Sequence, residues 1–294
     1  MLRIDFHVHS VLSPDSYLTP EQIVDLAQRR GLDGVAIVDH GTAAGSLAAA
    51  RRLSRPGLLV IPGGEWATPE GHLVGLFLER EPSIGQGLFP VAEVITALRE
   101  AGGLVVLAHP YQLHQKVIDE VLSAVNAVEV WNSRAGSALH PDANRRAAEL
   151  AAPPINLVWG GSDAHTAREV GLGWTELFLP KGATAEEVRR AIETGKIRAA
   201  GRDSPLFLPR WSNLVRDWRL RRWSSLPKAL IRLGLALCGR AGLSAEAALR
   251  RWRKGAGDGN DSFINAVCQR PPRSRRLRSK SLRKHHGEYE TEEK

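Results

Sequence analysis

Cysteine is scarce in this 294-residue chain: only Cys238 and Cys268 occur, with no CxxC and no paired spacing. That excludes a disulfide framework and a thiolate zinc knot, and it favours a reducing, cytoplasmic setting. Long apolar runs are also missing, since no stretch reaches the ~18 residues of a membrane-spanning helix. The opening MLRIDFHVHS lacks the apolar core of a signal peptide, so none is expected. Charge of one sign is lacking in one region only. Residues 206–294 hold 21 Lys+Arg against 8 Asp+Glu, which leaves the first 205 residues mildly acidic despite an overall net charge of +8. An acidic body and a basic tail need separate readings.

The body alternates apolar runs with helical patterns. "GVAIVDH", "LLVIPGGE", "HLVGLFL", "LVVLAHP", "AVEVWN", "NLVWGGSDAH" and "TELFLP" all read as buried strands. Thr19-Pro20-Glu21-Gln22 and Thr184-Ala185-Glu186-Glu187 are capping boxes, and "VAEVITALREAGG" is an amphipathic helix that stops at a glycine pair. About seven strand–helix units predict an α/β fold whose parallel sheet, covered by helices, closes into a barrel. The expected organisation is a domain over 1–205, then a basic Trp/Arg-rich helical extension over 206–254. A low-complexity basic tail over 255–294 is expected to be disordered.

The titratable residues cluster at strand ends. His7 and His9, two residues apart, project on the same side of a strand. His40, Glu65, His109, Asp163 and His165 end later strands, His72 begins one, and Asp15 lies in the loop after the first. Strand carboxyl ends face the active-site mouth in such folds. Imidazole mixed with carboxylate suits Zn²⁺, Mn²⁺ or Fe²⁺, with Mg²⁺ also feasible. Nine ligands (His7, His9, Asp15, His40, Glu65, His72, His109, Asp163 and His165) exceed the needs of one ion and suit two or three. Such clusters hydrolyse phosphate esters. Asp39 reads as a carboxylate that orients an imidazole rather than as a ligand. Asn132 and Arg134 would stand on the rim, where Arg134 could take a substrate phosphate, with Arg168 a weaker candidate. His114 reads as a solvated loop residue and His140 as the entrance of a helix.

"DFHVHS", "VAIVDHG", "GGEW…GHLVG", "LAHP" and "GGSDAH", in that order, resemble the PHP (polymerase and histidinol phosphatase) family, and more narrowly its small stand-alone phosphoesterases. The resemblance covers residues 1–205. It implies a distorted seven-stranded (β/α) barrel that carries up to three metals. By motif, His7, His9, Glu65 and Asp163 would hold one ion, Glu65, His72 and His109 a second, and Asp15, His40 and His165 a third. The implied reaction is attack of a metal-bound hydroxide on phosphate esters of small metabolites, nucleotides or short oligoribonucleotides. His109 or His165 would assist the leaving group. Two alternatives stay open. One is amidohydrolase-like hydrolysis of another bond. The other is an adaptor that binds nucleic acid or an anionic membrane through residues 206–294 and uses the barrel as a scaffold.

Overall fold

The computed structural model describes residues 1–112, 119–136, 142–150, 158–195 and 197–240. His114, His140 and the tail expected over 255–294 lie outside these. The element order is β1 (Leu2–Val8), α1 (Pro20–Arg29), β2 (Gly34–His40), α2 (Ala44–Leu53), β3 (Leu59–Thr68), β4 (Gly71–Leu76), α3 (Val91–Glu100), β5 (Leu104–Ala108), α4 (Asp119–Ala124), β6 (Ala127–Asn132), α5 (Ala143–Glu149), β7 (Val158–Gly161), β8 (Gly173–Leu177), α6 (Ala185–Glu193), β9 (Ile197–Gly201), α7 (Phe207–Arg219) and α8 (Leu226–Arg240). Both expected capping boxes form: Thr19 with Gln22 starts α1, and Thr184 with Glu187 starts α6.

The strands form one sheet, ordered β7-β6-β5-β4-β3-β2-β1-β8-β9. It curls into a nearly closed barrel, and side chains stitch the seam. Thr175 on β8 bonds both backbone groups of Gly160 on β7, at 2.9 and 3.0 Å. Asp5 on β1 accepts from the backbone and hydroxyl of Ser162, just past β7.

The expectation of a parallel sheet is corrected in part. β1–β2, β2–β3, β5–β6 and β6–β7 run parallel, whereas β3–β4, β4–β5, β1–β8 and β8–β9 run antiparallel. For β3–β4 the reason is local. Pro69-Glu70 leave no room for a crossover helix between β3 and β4, so these strands make a hairpin. The short strand β9, "IRAAG", carries too little apolar pattern to be read from sequence.

Leu2, Ile4, Phe6, Ala36, Val38, Ile61, Val74, Leu76, Val106 and Trp159 fill the barrel interior, where Phe6 stacks on Trp159 with centroids 5.6 Å apart. Helix α1 packs Ile23, Val24 and Ala27 outside β2, and α3 packs Val94 and Leu98 outside β4 and β5. The compact unit runs from Met1 to Leu237, so it takes in α7 and most of α8. No helix among the described residues is long and apolar enough to cross a membrane.

Candidate metal centre

On β1 the interior residues are the even ones, Leu2, Ile4 and Phe6. Strict alternation would turn His7 and His9 outward. A bulge prevents this: β1 advances from Asp5 to Val8 while β2 advances only from Val35 to Ile37. The extra residue flips the parity. Val8 then packs outside with α1 and α2, and His7 and His9 turn into the barrel mouth. Elsewhere the strands deliver ligands on their interior register, His40 following Val38 and His72 preceding Val74. His109 (φ 26°) and Asp163 (φ 54°) sit in left-handed backbone conformations that non-glycine residues rarely adopt, and both lie at the site.

All nine candidates converge. Glu65 is the hub: within 3.8 Å of its two carboxylate oxygens lie nitrogens of His7, His9, His40, His72 and His109. Asp163 Oδ1 lies 3.7, 3.3 and 3.5 Å from His7, His9 and His165. Asp15 Oδ1 lies 3.5 Å from His40 and 3.3 Å from His165. Among the described residues, ligand atoms close enough to share an ion form three groups: His9–His40–His165, His7–Glu65–His109 and His7–His9–Asp163. His9 thus joins His40 and His165, which the resemblance had grouped with Asp15.

The residues fit metal ions, and the outer hydrogen bonds say why. The His7 Nδ1–H donates to Glu129 Oε1 at 3.0 Å. The Ser13 hydroxyl donates to Asp39 (2.7 Å), so its oxygen is free to accept from His9 Nδ1–H at 3.2 Å. Both rings are thereby held with Nε2 lone pairs facing the bowl, the arrangement expected of ligating histidines. Those two Nε2 atoms stand 3.1 Å apart, and facing lone pairs at that distance require a cation or a proton between them. Asp15 Oδ1 is buried with no hydrogen-bond partner, which also suits a ligand.

The electrostatics agree. Burial pushes His7 down, but Glu129 and Asp163 outweigh it and hold its pKa well above the ordinary histidine value. Burial, together with the neighbouring His165 and His40, holds His9 well below it. Burial would raise the carboxyls of Glu65, Asp15 and Asp163, yet the surrounding imidazoles keep all three far below the usual carboxylate range. The bowl is therefore a set of ionised carboxylates that collects positive charge.

Arg134 is buried on the rim. Its Nη1 lies 2.6 Å from His165 Nδ1, its Nε lies 3.2 Å from Glu169, and its Nη2 donates to Ser212 on α7. Arg168 is exposed. Asn132 is buried and faces inward: its amide donates to Glu129 while its carbonyl caps the backbone of Arg134 and Ala135. Asp39 touches no imidazole and acts through Ser10 and Ser13. Sequence reasoning missed Glu129 and Glu169. The first had a readable signal, a lone acid inside the apolar run "AVEVW", because a buried charge must have partners.

Comparison with known proteins agrees with this geometry. The PHP domain family model matches residues 5–128, and the PHP-associated model matches residues 141–197. An uncharacterised protein of Methanocaldococcus jannaschii is 33% identical over 144 residues, which cover 45% of this chain and 82% of that protein. This chain belongs to the PHP family. A 3′,5′-nucleoside bisphosphate phosphatase of Chromobacterium violaceum is 35% identical over 98 residues, 32% of this PHP chain and 34% of that protein. The fold matches the crystal structure of a two-domain protein of Bacteroides vulgatus that contains a predicted PHP-like metal-dependent phosphoesterase. The TM-score is 0.54 at 20% identity, covering 72% of this chain and 69% of that one. Membership places the protein among metal-dependent hydrolases of phosphoesters. Both PHP matches end before α7 begins.

Proposed function

We propose that the protein hydrolyses phosphate esters of small metabolites, nucleotides or short oligoribonucleotides, using two or three divalent ions (Mn²⁺, Zn²⁺ or Fe²⁺). Residues 1–205 supply the chemistry. The observation that carries this reading is the hub geometry of Glu65, one carboxylate shared by five imidazoles, which suits bridging two ions.

In this reading His7, His9, Glu65, Asp163, His72, His109, His40, Asp15 and His165 hold the ions. These would supply a nucleophile at neutral pH and neutralise charge gathering on the phosphoryl oxygens. Glu129 and Ser13 keep His7 and His9 in the ligating tautomer. His109 or His165 would supply the proton for the leaving oxygen. His165 Nδ1 lies 2.6 Å from Arg134 and 2.9 Å from the Asp163 carbonyl, with Nε2 3.3 Å from Asp15. Arg134 is a positioning residue here rather than the phosphate clamp expected from sequence, because Glu169, Ser212 and His165 occupy its guanidinium.

The test is a panel of phosphomonoesters and phosphodiesters, assayed after metal stripping and reloading with Mn²⁺, Zn²⁺, Fe²⁺ or Mg²⁺. Elemental analysis should give two to three equivalents of metal, and at least one ester should turn over. Full metal loading with no hydrolysis of any ester would overturn the proposal.

A further inference from the structure

A cavity of about 450 Å³ opens beside the metal bowl, a volume ordinary for small-molecule sites. Asp15, His40, Glu65 and His72 of the bowl line it, together with Arg216 and Arg222. These arginines come from α7 and the turn that follows it, outside both segments matched to the family.

Their placement is built. Ser212, Arg216 and Arg219 are spaced i, i+4 and i+7, so they share one face of α7. Ser212 accepts from Arg134 on the rim. Arg219 donates to three carbonyls of the loop that carries Asp15: Val11 at 3.0 Å, Ser13 at 3.1 Å and Ser16 at 2.6 Å. Arg216, between these two fastenings, is thereby held over the cavity. Helix α7 then ends in a Schellman turn: Arg222 N–H donates to Asp217 O (2.8 Å) and Arg221 N–H to Trp218 O (3.0 Å). The left-handed residue of that turn is Arg221 (φ 54°), where glycine would be the unstrained choice. The chain tolerates this strain, and the turn delivers Arg222 to the cavity wall.

Neither guanidinium is neutralised by the bowl. Among the described residues Arg216 has one ion-pair partner, Asp217 at 3.7 Å, and its buried Nε has no hydrogen-bond partner. Arg222 has no acidic partner within 4 Å among those residues either. Two cations with spare donors, lining one cavity with the carboxylates of the bowl, suit a ligand that is anionic at both ends.

We propose that Arg216 and Arg222 form a second anion subsite, selecting esters that carry another phosphate besides the one hydrolysed. The proposal rests on the phosphoesterase reading above for which phosphate is cleaved, but not for the binding itself.

The test uses the full chain, wild type and the Arg216→Gln/Arg222→Gln double variant, with two matched pairs of esters. These are adenosine 3′,5′-bisphosphate against adenosine 3′-monophosphate, and fructose 1,6-bisphosphate against fructose 6-phosphate. For any pair turned over, the double variant should raise KM for the bisphosphate about tenfold or more, leaving kcat and the monophosphate KM within about twofold. Arg216→Lys/Arg222→Lys should restore part of the loss. In EDTA-treated protein, calorimetry should show at least one bisphosphate binding the wild type about tenfold more tightly than the glutamine variant. Equal KM changes for both members of a pair would overturn the subsite, as would equal bisphosphate binding by the two metal-free proteins. A loss of bound metal with no change in ester preference would also overturn it, because the arginines would then merely balance the carboxylates. If the wild type cleaves no ester at all, the catalytic reading fails while the metal-free binding comparison still decides the subsite.

Discussion

The bowl and the helix above it are held in opposite ways. In the bowl, His7, His9, Glu65, Asp163 and His165 are buried and mutually bonded, and each imidazole answers to a carboxylate. The α7 segment is half exposed: Trp218 is 62% and Trp223 54% accessible, and a few arginine bonds fasten it down. The bowl is over-determined and loses its function all at once. The helix is tethered and should fail by degrees, changing which ligand is taken before it changes whether anything is cleaved.

The comparison breaks most sharply at Glu65. Glu65→Gln removes the charge shared by five imidazoles and should lower turnover by about 10³-fold or more, with bound metal lost in elemental analysis. A variant that keeps both metal and rate would show that the hub is not one.

Beneath the bowl, burial raises the Asp5 carboxyl to about 6, although Ser162, Gly171 and His7 all bond to it. A raised acid pKa stabilises the fold fully below its unfolded value of 3.8, and this contribution is lost as pH climbs through about 6. At ~1.4 kcal/mol per unit the loss is about 3 kcal/mol. NMR titration of the Asp5 carboxyl should show a midpoint near 6.

Removal of metal tests the bowl as a whole. Ions that bind the folded state at a hundred times their Kd stabilise it by about 2.7 kcal/mol. EDTA should therefore lower the Tm by about 5–10 °C. An unchanged Tm would count against tight folded-state loading.

On the other side of the comparison, Arg219→Ala removes the bonds to Val11, Ser13 and Ser16. A loss of about 2 kcal/mol is expected in chemical denaturation, since carbonyls bonded to a charged donor lose their partner. Metal content should stay unchanged, because no bowl ligand is touched. The smallest effect is Arg221→Gly, which relieves the left-handed strain and should stabilise the chain by about 1 kcal/mol with hydrolysis intact.

The two regions also differed in how far sequence could reach. Which residues gather at the bowl was open to reading because metal chemistry restricts residue type, so His7, Glu65 or His165 at a strand end stands out as a candidate ligand. Helix starts were open for the same reason, as Thr19 and Thr184 show. What stayed hidden depends on backbone geometry or on distant partners. The β1 bulge has no glycine to announce it. The antiparallel run of β4 follows from its two-residue connection to β3 rather than from strand composition, and that of β8 shows only in its pairing with the distant β1. The occupation of Arg134 by Glu169 and Ser212 joins segments 35 and 78 residues away. Arg216 and Arg222 lay within a basic stretch whose average charge gave no hint of which side chains face the cavity.

The odd step in β1 has one more consequence. It splits the strand into two independent alphabets, an apolar one written on Leu2, Ile4 and Phe6 and a coordinating one written on His7 and His9. The barrel filling can drift in size without re-aiming the imidazoles. Straightening the strand at its full length would put His7 and His9 on the outer face and out of the bowl, though every side chain type needed for chemistry would still be in the chain.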